Sequence, residues 1–169
     1  MVPSWIAPNG NMDESEESEP QKAESDLEHF VEDVSSEEWL DDDILRRIRS
    51  VGVIILGNHG KILTGTRKDP NHFGELCGPG GHVEPGESLT DAAIRETQEE
   101  FGVTPKNLKL IGLGDYEEDA GLIPAIFICT EYDGDMITAD FEIENQRFRT
   151  IPDILSHNLF IPFKKTIQI

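Results

Sequence analysis

Five charged residues within fourteen positions hold the chemistry this sequence can do: Glu87, Arg95, Glu96, Glu99 and Glu100. Leu89 to Phe101 runs without Gly or Pro and stops at Gly102, which predicts a helix. At about 100° per residue Glu96, Glu99 and Glu100 share one side, while Ile94, Thr97 and Phe101 form the flank that meets a core. Like charges three and four apart each cost roughly 0.2–0.5 kcal/mol. The cluster works against its own helix unless it binds a cation. Hard Mg²⁺ or Mn²⁺ takes oxygen ligands such as Glu96, Glu99 and Glu100 supply. An ordinary solvated acidic face is the plainer alternative. Glycines at 80 and 81 let the backbone come close to a metal and to phosphates, unless they serve only a tight turn. Glu87 stands just before the helix, where it can act through water or a second metal. Arg95 points away from the core flank, placed either to pair with a carboxylate and fix its aim or to contact phosphate.

The elements that must position these residues are mostly β. Ser35 and Glu38 form a capping-box pattern ahead of Trp39, Leu40, Ile44, Leu45 and Ile48, a short helix that merges into a strand. Val51 to Leu56 and Lys61 to Thr64, joined by Asn58-His59-Gly60, read as a hairpin. Residues 69 to 88 read as loop, dense in glycine. Beyond the marked helix lie three β-like runs, Leu108 to Leu113, Ile123 to Thr130 and Gln146 to Ile151, with a short helix after Pro152. Strands on both sides of one helix predict an α/β fold with a mixed sheet.

The 169 residues suit one domain of ordinary size. Residues 1 to 45 hold 15 acids and one base against 19 acids and 13 bases in residues 46 to 169, which marks 1–45 as an acidic, disordered or partly helical extension and 46–169 as the domain. A net charge of −20 repels nucleic-acid backbones and anionic membranes, so an anionic substrate needs a cation. The start lacks a signal-peptide pattern, and apolar runs such as Val53 to Leu56 are too short to span a bilayer. Cys77 and Cys129 form neither a disulfide framework nor a zinc pattern, which points to a reducing cytoplasm. His82, Cys77 and the Tyr116 to Asp119 turn carry no partner in sequence that would raise them above loop or packing residues.

The spacing Gly81, five residues, Glu87, seven residues, Arg95-Glu96-Thr97-Gln98-Glu99-Glu100-Phe101-Gly102-Val103 resembles the Nudix box. The lead-in Pro79-Gly80-Gly81-His82-Val83-Glu84 is similar to that family's as well, and the resemblance covers about residues 50 to 160. Thr97 departs from the usual aliphatic residue, and its β-branched shape still suits a core flank. The resemblance implies a Nudix-type α/β/α sandwich and a Mg²⁺- or Mn²⁺-dependent pyrophosphohydrolase that cuts a phosphoanhydride in a nucleoside diphosphate linked to a further group X. It implies the Gly80 carbonyl as a metal ligand beside Glu96, Glu99 and Glu100. A carboxylate takes the proton of the attacking water, Glu96 by first choice, with Glu142 as a weaker base or extra ligand. The substrate expected is a nucleoside triphosphate or related small nucleotide; the residues that bind it, and the oligomeric state, a homodimer being one option, stay open. A second reading is a nucleotide-sensing Nudix module of a larger or viral protein, without hydrolysis; a third makes the acidic extension an arm for a basic partner. The complete carboxylate set favours the enzyme.

Overall fold

The structure is a computed structural model and describes residues 40–114, 123–137 and 141–167. All of the elements below fall in the compact unit Val34–Ile169. Strand β1 (Ile48–Gly57) is its axis. It runs parallel to β7 (Ile123–Cys129), which pairs antiparallel with β6 (Lys109–Leu113). On its other side β1 meets β2 (Lys61–Arg67) near its end and β4 (Gly80–His82) near its start, both antiparallel. β2 in turn pairs with β3 (Leu76–Cys77) and β9 (Ile143–Arg149). The expected mixed sheet is present. Val51, Val53, Ile54 and Ile55 are all buried, as a central strand covered on both faces requires.

Among the described residues four α-helices accompany the sheet. Helix α1 (Asp42–Leu45) precedes β1, α2 (Leu89–Phe101) carries the acidic cluster, and α3 (Ile151–Leu155) and α4 (Ile161–Thr166) follow β9. Ser88 caps α2, its Oγ accepting from the Asp91 N–H at 3.0 Å, and Gly102 ends the helix at φ 75°. Ala92, Ala93, Thr97 and Phe101 are fully buried, so small residues let the helix lie close while Phe101 fills the core. The Thr97 hydroxyl donates to the Ala93 carbonyl at 2.7 Å, which settles the polar atom this departure from an aliphatic residue brings inside.

Several boundaries differ from expectation. The helix before β1 spans four residues, capped by Asp41, whose carboxylate accepts from the Ile44 N–H at 2.8 Å; Ser35, Glu38 and Trp39 lie outside the described residues. Ile48 belongs to the strand because its neighbour is Ile123 of β7. The glycine-dense loop contains β3 and β4, too short to show alternation. β9 starts at Ile143 rather than Gln146. A ribbon of β5 (Thr104–Lys106) with β8 (Glu131–Asp133), and helix α4, carried no signal that was read.

Candidate active site

Gly80 and Gly81 bring β4 against both β1 and α2. Gly80 has φ 153° and stands opposite Gly52, where any Cβ would strike the Val51 carbonyl. A Cβ on Gly81 would run into the Glu96 carboxylate. Both positions therefore need glycine for close approach. The Gly80 N–H donates to Glu100 Oε2 at 3.0 Å, which ties the loop to the last turn of α2.

The three box carboxylates do not share one environment. Glu100 is only 5% exposed, whereas the Glu99 side chain is 61% exposed and that of Glu96 15%. The helical positions were read correctly, but the buried face of α2 is wider than the flank of Ile94, Thr97 and Phe101 and takes in Glu100; Ile94 itself is only partly buried. Burial pushes the Glu100 carboxyl up to about 8; Glu96 and Glu142 push the same way, against the Gly80 N–H and Arg67.

Arg95 spends its guanidinium on this cluster. Nε and Nη2 clasp the two oxygens of Glu87 at 2.9 and 3.0 Å, and Nη1 reaches Glu96 Oε1 at 2.9 Å and Glu99 Oε2 at 3.2 Å. Nη2 also donates to the His82 carbonyl at 2.9 Å. All five N–H groups are engaged, four on carboxylate oxygens and one on a main-chain carbonyl. Those hydrogen bonds hold Glu87 below the usual carboxylate range and raise Arg95 above its ordinary value. Glu87 Oε2 also accepts from the Glu84 N–H at 3.0 Å, closing the loop before the helix.

Among the described residues no three acidic, histidine or cysteine side chains converge as a ready-made metal cage. Like charges do not gather without a counter-charge, and here Arg95 provides one for three of them. The residues nonetheless fit a hard divalent ion. The donors are oxygens, the glycine pair leaves the Glu96 carboxylate lying on the loop, and Glu100 is a buried carboxylate that only a nearby positive charge would keep ionised.

Glu142 lies immediately before β9, beside the Lys68 backbone, whose N–H donates to the Glu142 carbonyl at 2.7 Å. Its side chain is exposed, yet close enough to raise the Glu100 carboxyl. Sequence reasoning missed Arg67, at the end of β2. Its guanidinium lies 4.3 Å over the Phe160 ring, pairs with Asp69 at 2.7 Å and acts electrostatically on Glu100. Nothing near Arg67 in sequence marks it, because Phe160 and Glu100 reach it only through the fold. Gln146 was likewise missed. Cys77 is buried, its thiol pushed up to about 12 by burial, which suits a packing role. His82 contributes its carbonyl, and Tyr116 to Asp119 lie outside the described residues.

The chain matches the NUDIX domain family over residues 46–167 and belongs to it. It is similar to the 8-oxo-dGTP diphosphatase of Escherichia coli (strain K12), 37% identical over 68 residues that cover 40% of this chain and 53% of that protein. Likewise it is similar to the ADP-ribose pyrophosphatase of Methanocaldococcus jannaschii, 33% identical over 97 residues, 56% of this chain and 57% of that protein. The match thus spans a little over half of each relative's length. In fold it is like the MutT NUDIX hydrolase from Burkholderia pseudomallei, with TM-score 0.62, 22% identity, and coverage of 71% of this chain and 95% of that one. Among the described residues no helix is long and apolar enough to cross a membrane.

Proposed function

We propose that this chain is a divalent-metal pyrophosphohydrolase that cuts a phosphoanhydride in a nucleoside diphosphate linked to X, with a nucleoside triphosphate or related small nucleotide as substrate. The observation that carries the reading is the meeting of Glu96 and Glu100 with the Gly80–Gly81 backbone, a set of hard oxygens lodged where only glycine fits. The two relatives named above act, by their names, on small nucleotides, which supports the substrate class. Residues 46–169 are the catalytic domain in this reading, with 1–45 an acidic extension. Two buried free thiols suit a reducing compartment such as the cytoplasm.

Each residue then has a task. Glu96, Glu99, Glu100 and the Gly80 carbonyl would hold Mg²⁺ or Mn²⁺, which when bound screens phosphate charge and makes water more acidic. Glu96 takes the water's proton: Arg95 fixes Oε1, leaving Oε2 to accept it. Glu87 acts by clasping Arg95, and both are positioning residues in this scheme. Arg67, held by Asp69 and Phe160, supplies positive charge for a phosphate beside the acidic cluster. Glu142 adds a further base or ligand.

The test is a panel of nucleoside triphosphates, oxidised nucleotides, ADP-ribose, dinucleoside polyphosphates and nucleotide sugars, each with Mg²⁺ or Mn²⁺ and again with excess EDTA. Turnover of at least one substrate, abolished by chelation, is expected. Tight binding without turnover across the panel would instead leave a sensing module, and undiminished activity in EDTA would remove the metal from the scheme.

A further inference from the structure

Strand β9 is irregular at one place. Thr64 of β2 pairs with Arg147 and Thr66 with Glu144, so Asn145 and Gln146 together stand opposite the single residue Gly65. Asn145 takes φ 57°, and Ile143, Gln146 and Arg149 are buried, a spacing of three that a flat strand does not give. This is a β-bulge, a device that re-aims a side chain.

What it re-aims is Gln146. Its Nε2 donates to the Glu100 main-chain carbonyl at 3.0 Å and to the Ile143 carbonyl at 3.2 Å. The Glu100 carbonyl is one of the four at the end of α2 that have no partner within the helix. Of its neighbours, Gln98 accepts from the Gly102 N–H and Phe101 from the Ile137 N–H, each at about the same length, 3.0 and 3.1 Å. The bulge itself is held by the Arg149 side chain: Nη2 donates to the Asn145 carbonyl at 3.2 Å and Nη1 to the Thr64 carbonyl at 2.9 Å.

Gln146 is a poor choice for packing. It is 7% exposed, and its Oε1 is buried with no hydrogen-bond partner among the described residues. An apolar side chain of the same length would avoid that orphaned acceptor. The two bonds of Nε2 therefore define the position, and one of them ends on the residue whose carboxylate Gly80 holds.

We propose that Gln146 is a positioning residue for the Glu100 carboxylate, its amide pinning the last turn of α2 so that the Glu100 side chain meets Gly80. This deepens the proposed function and rests on Glu100 as a metal-holding group there. Gln146→Met keeps the length and removes the donor; Gln146→Glu keeps the shape and sets a carboxylate against the carbonyl.

The first readout needs neither metal nor substrate. In the full chain, amide exchange followed by NMR should show the Gly80 N–H of Gln146→Met losing protection by about tenfold relative to the β1–β7 ladder amides. The second is Mn²⁺ titration by EPR, where half-saturation should rise about 10- to 100-fold, with Gln146→Glu the worse of the two. In a Glu100→Gln background, Gln146→Met should add little further loss, since both act at one group. That cycle separates positioning from general loosening, whatever the melting temperature does. Wild-type Gly80 protection and Mn²⁺ half-saturation in Gln146→Met, or fully additive losses in the double variant, would overturn the proposal. A wild-type chain that takes up no Mn²⁺ would sink the functional reading instead, and the Gly80 amide would then decide the role of Gln146 alone.

Discussion

The two ends of the acidic stretch on α2 hold their carboxylates by opposite means. At the outer end Glu87, Glu96 and Glu99 surround Arg95, within reach of solvent, and each receives at least one of its N–H groups. At the inner end Glu100 is buried with one backbone N–H and no arginine hydrogen-bonded to it among the described contacts. The outer group is neutralised in place. The inner one is kept near-neutral by its surroundings, so an added cation gains most there, where water does not screen it. A helix with all its acids on a solvated face would show neither feature.

The largest effect should come from Glu100→Gln. The change removes a charge while keeping nearly the same volume, so turnover should fall by ~10² or more even with metal at saturation. Stability of the metal-free protein should hold or rise, because a buried carboxylate is replaced by a neutral amide. Kinetics with metal titrated for each variant, beside thermal melting, separate the two. Near wild-type turnover in a folded Glu100→Gln protein would mean that the inner end is structural and the contrast between the ends has no catalytic content.

Arg95→Lys comes next. Lysine keeps the charge but cannot clasp Glu87 with two parallel bonds while reaching Glu96, Glu99 and the His82 carbonyl. Loss of that orientation should lower kcat by about tenfold or more with KM for the nucleotide little changed. A rise in KM alone would return Arg95 to the phosphate role its five engaged donors argue against.

How legible the site was in the sequence follows the same contrast. The outer end is local: Gly81, Glu87, Arg95, Glu96 and Glu99 lie within one loop and one helix, and their spacing offered pairing with a carboxylate as one of two roles for Arg95. Helix α2 was legible for the same reason, as a run without Gly or Pro that stops at Gly102. The inner end depends on contacts far apart in sequence. Periodicity put Glu100 beside Glu96 but could not say that the Gly80 N–H of β4 and the Gln146 amide of β9 would meet it. Arg67 and Phe160, 93 residues apart (160 − 67), meet only in the fold. Strands β3 and β4 were missed because two or three residues show no alternation.

A smaller effect should appear in stability against pH. The Glu100 carboxyl rises from its ordinary value to about 8 on folding, so the folded state holds a proton that the unfolded state releases near 4.5. Its contribution is therefore fully present at acid pH and is lost as pH rises toward 8. In EDTA the melting temperature should fall across that window, and Glu100→Gln should flatten this part of the profile. The outer end runs the other way: Glu87, held low by Arg95, stabilises above its unfolded value and loses that support on acidification. A profile unchanged by Glu100→Gln would place the titration elsewhere.

The smallest change should be that of Glu142→Gln. Glu142 is exposed just before β9 and belongs to neither end of the helix, yet its charge acts on Glu100 and favours its protonated form. Two consequences oppose each other. Removing the charge makes Glu100 easier to ionise, which favours cation uptake there, while any direct help Glu142 gives as base or ligand is lost. An exposed carboxylate is also screened by water and salt. Turnover should therefore drop by less than about tenfold, and the drop should differ between substrates whose X groups reach β9 by different amounts. Kinetics on at least two substrates at saturating Mn²⁺ decide the matter. A loss as large as that of Glu100→Gln, equal on every substrate, would move Glu142 into the same metal-holding set and make the inner end of α2 a site shared with β9.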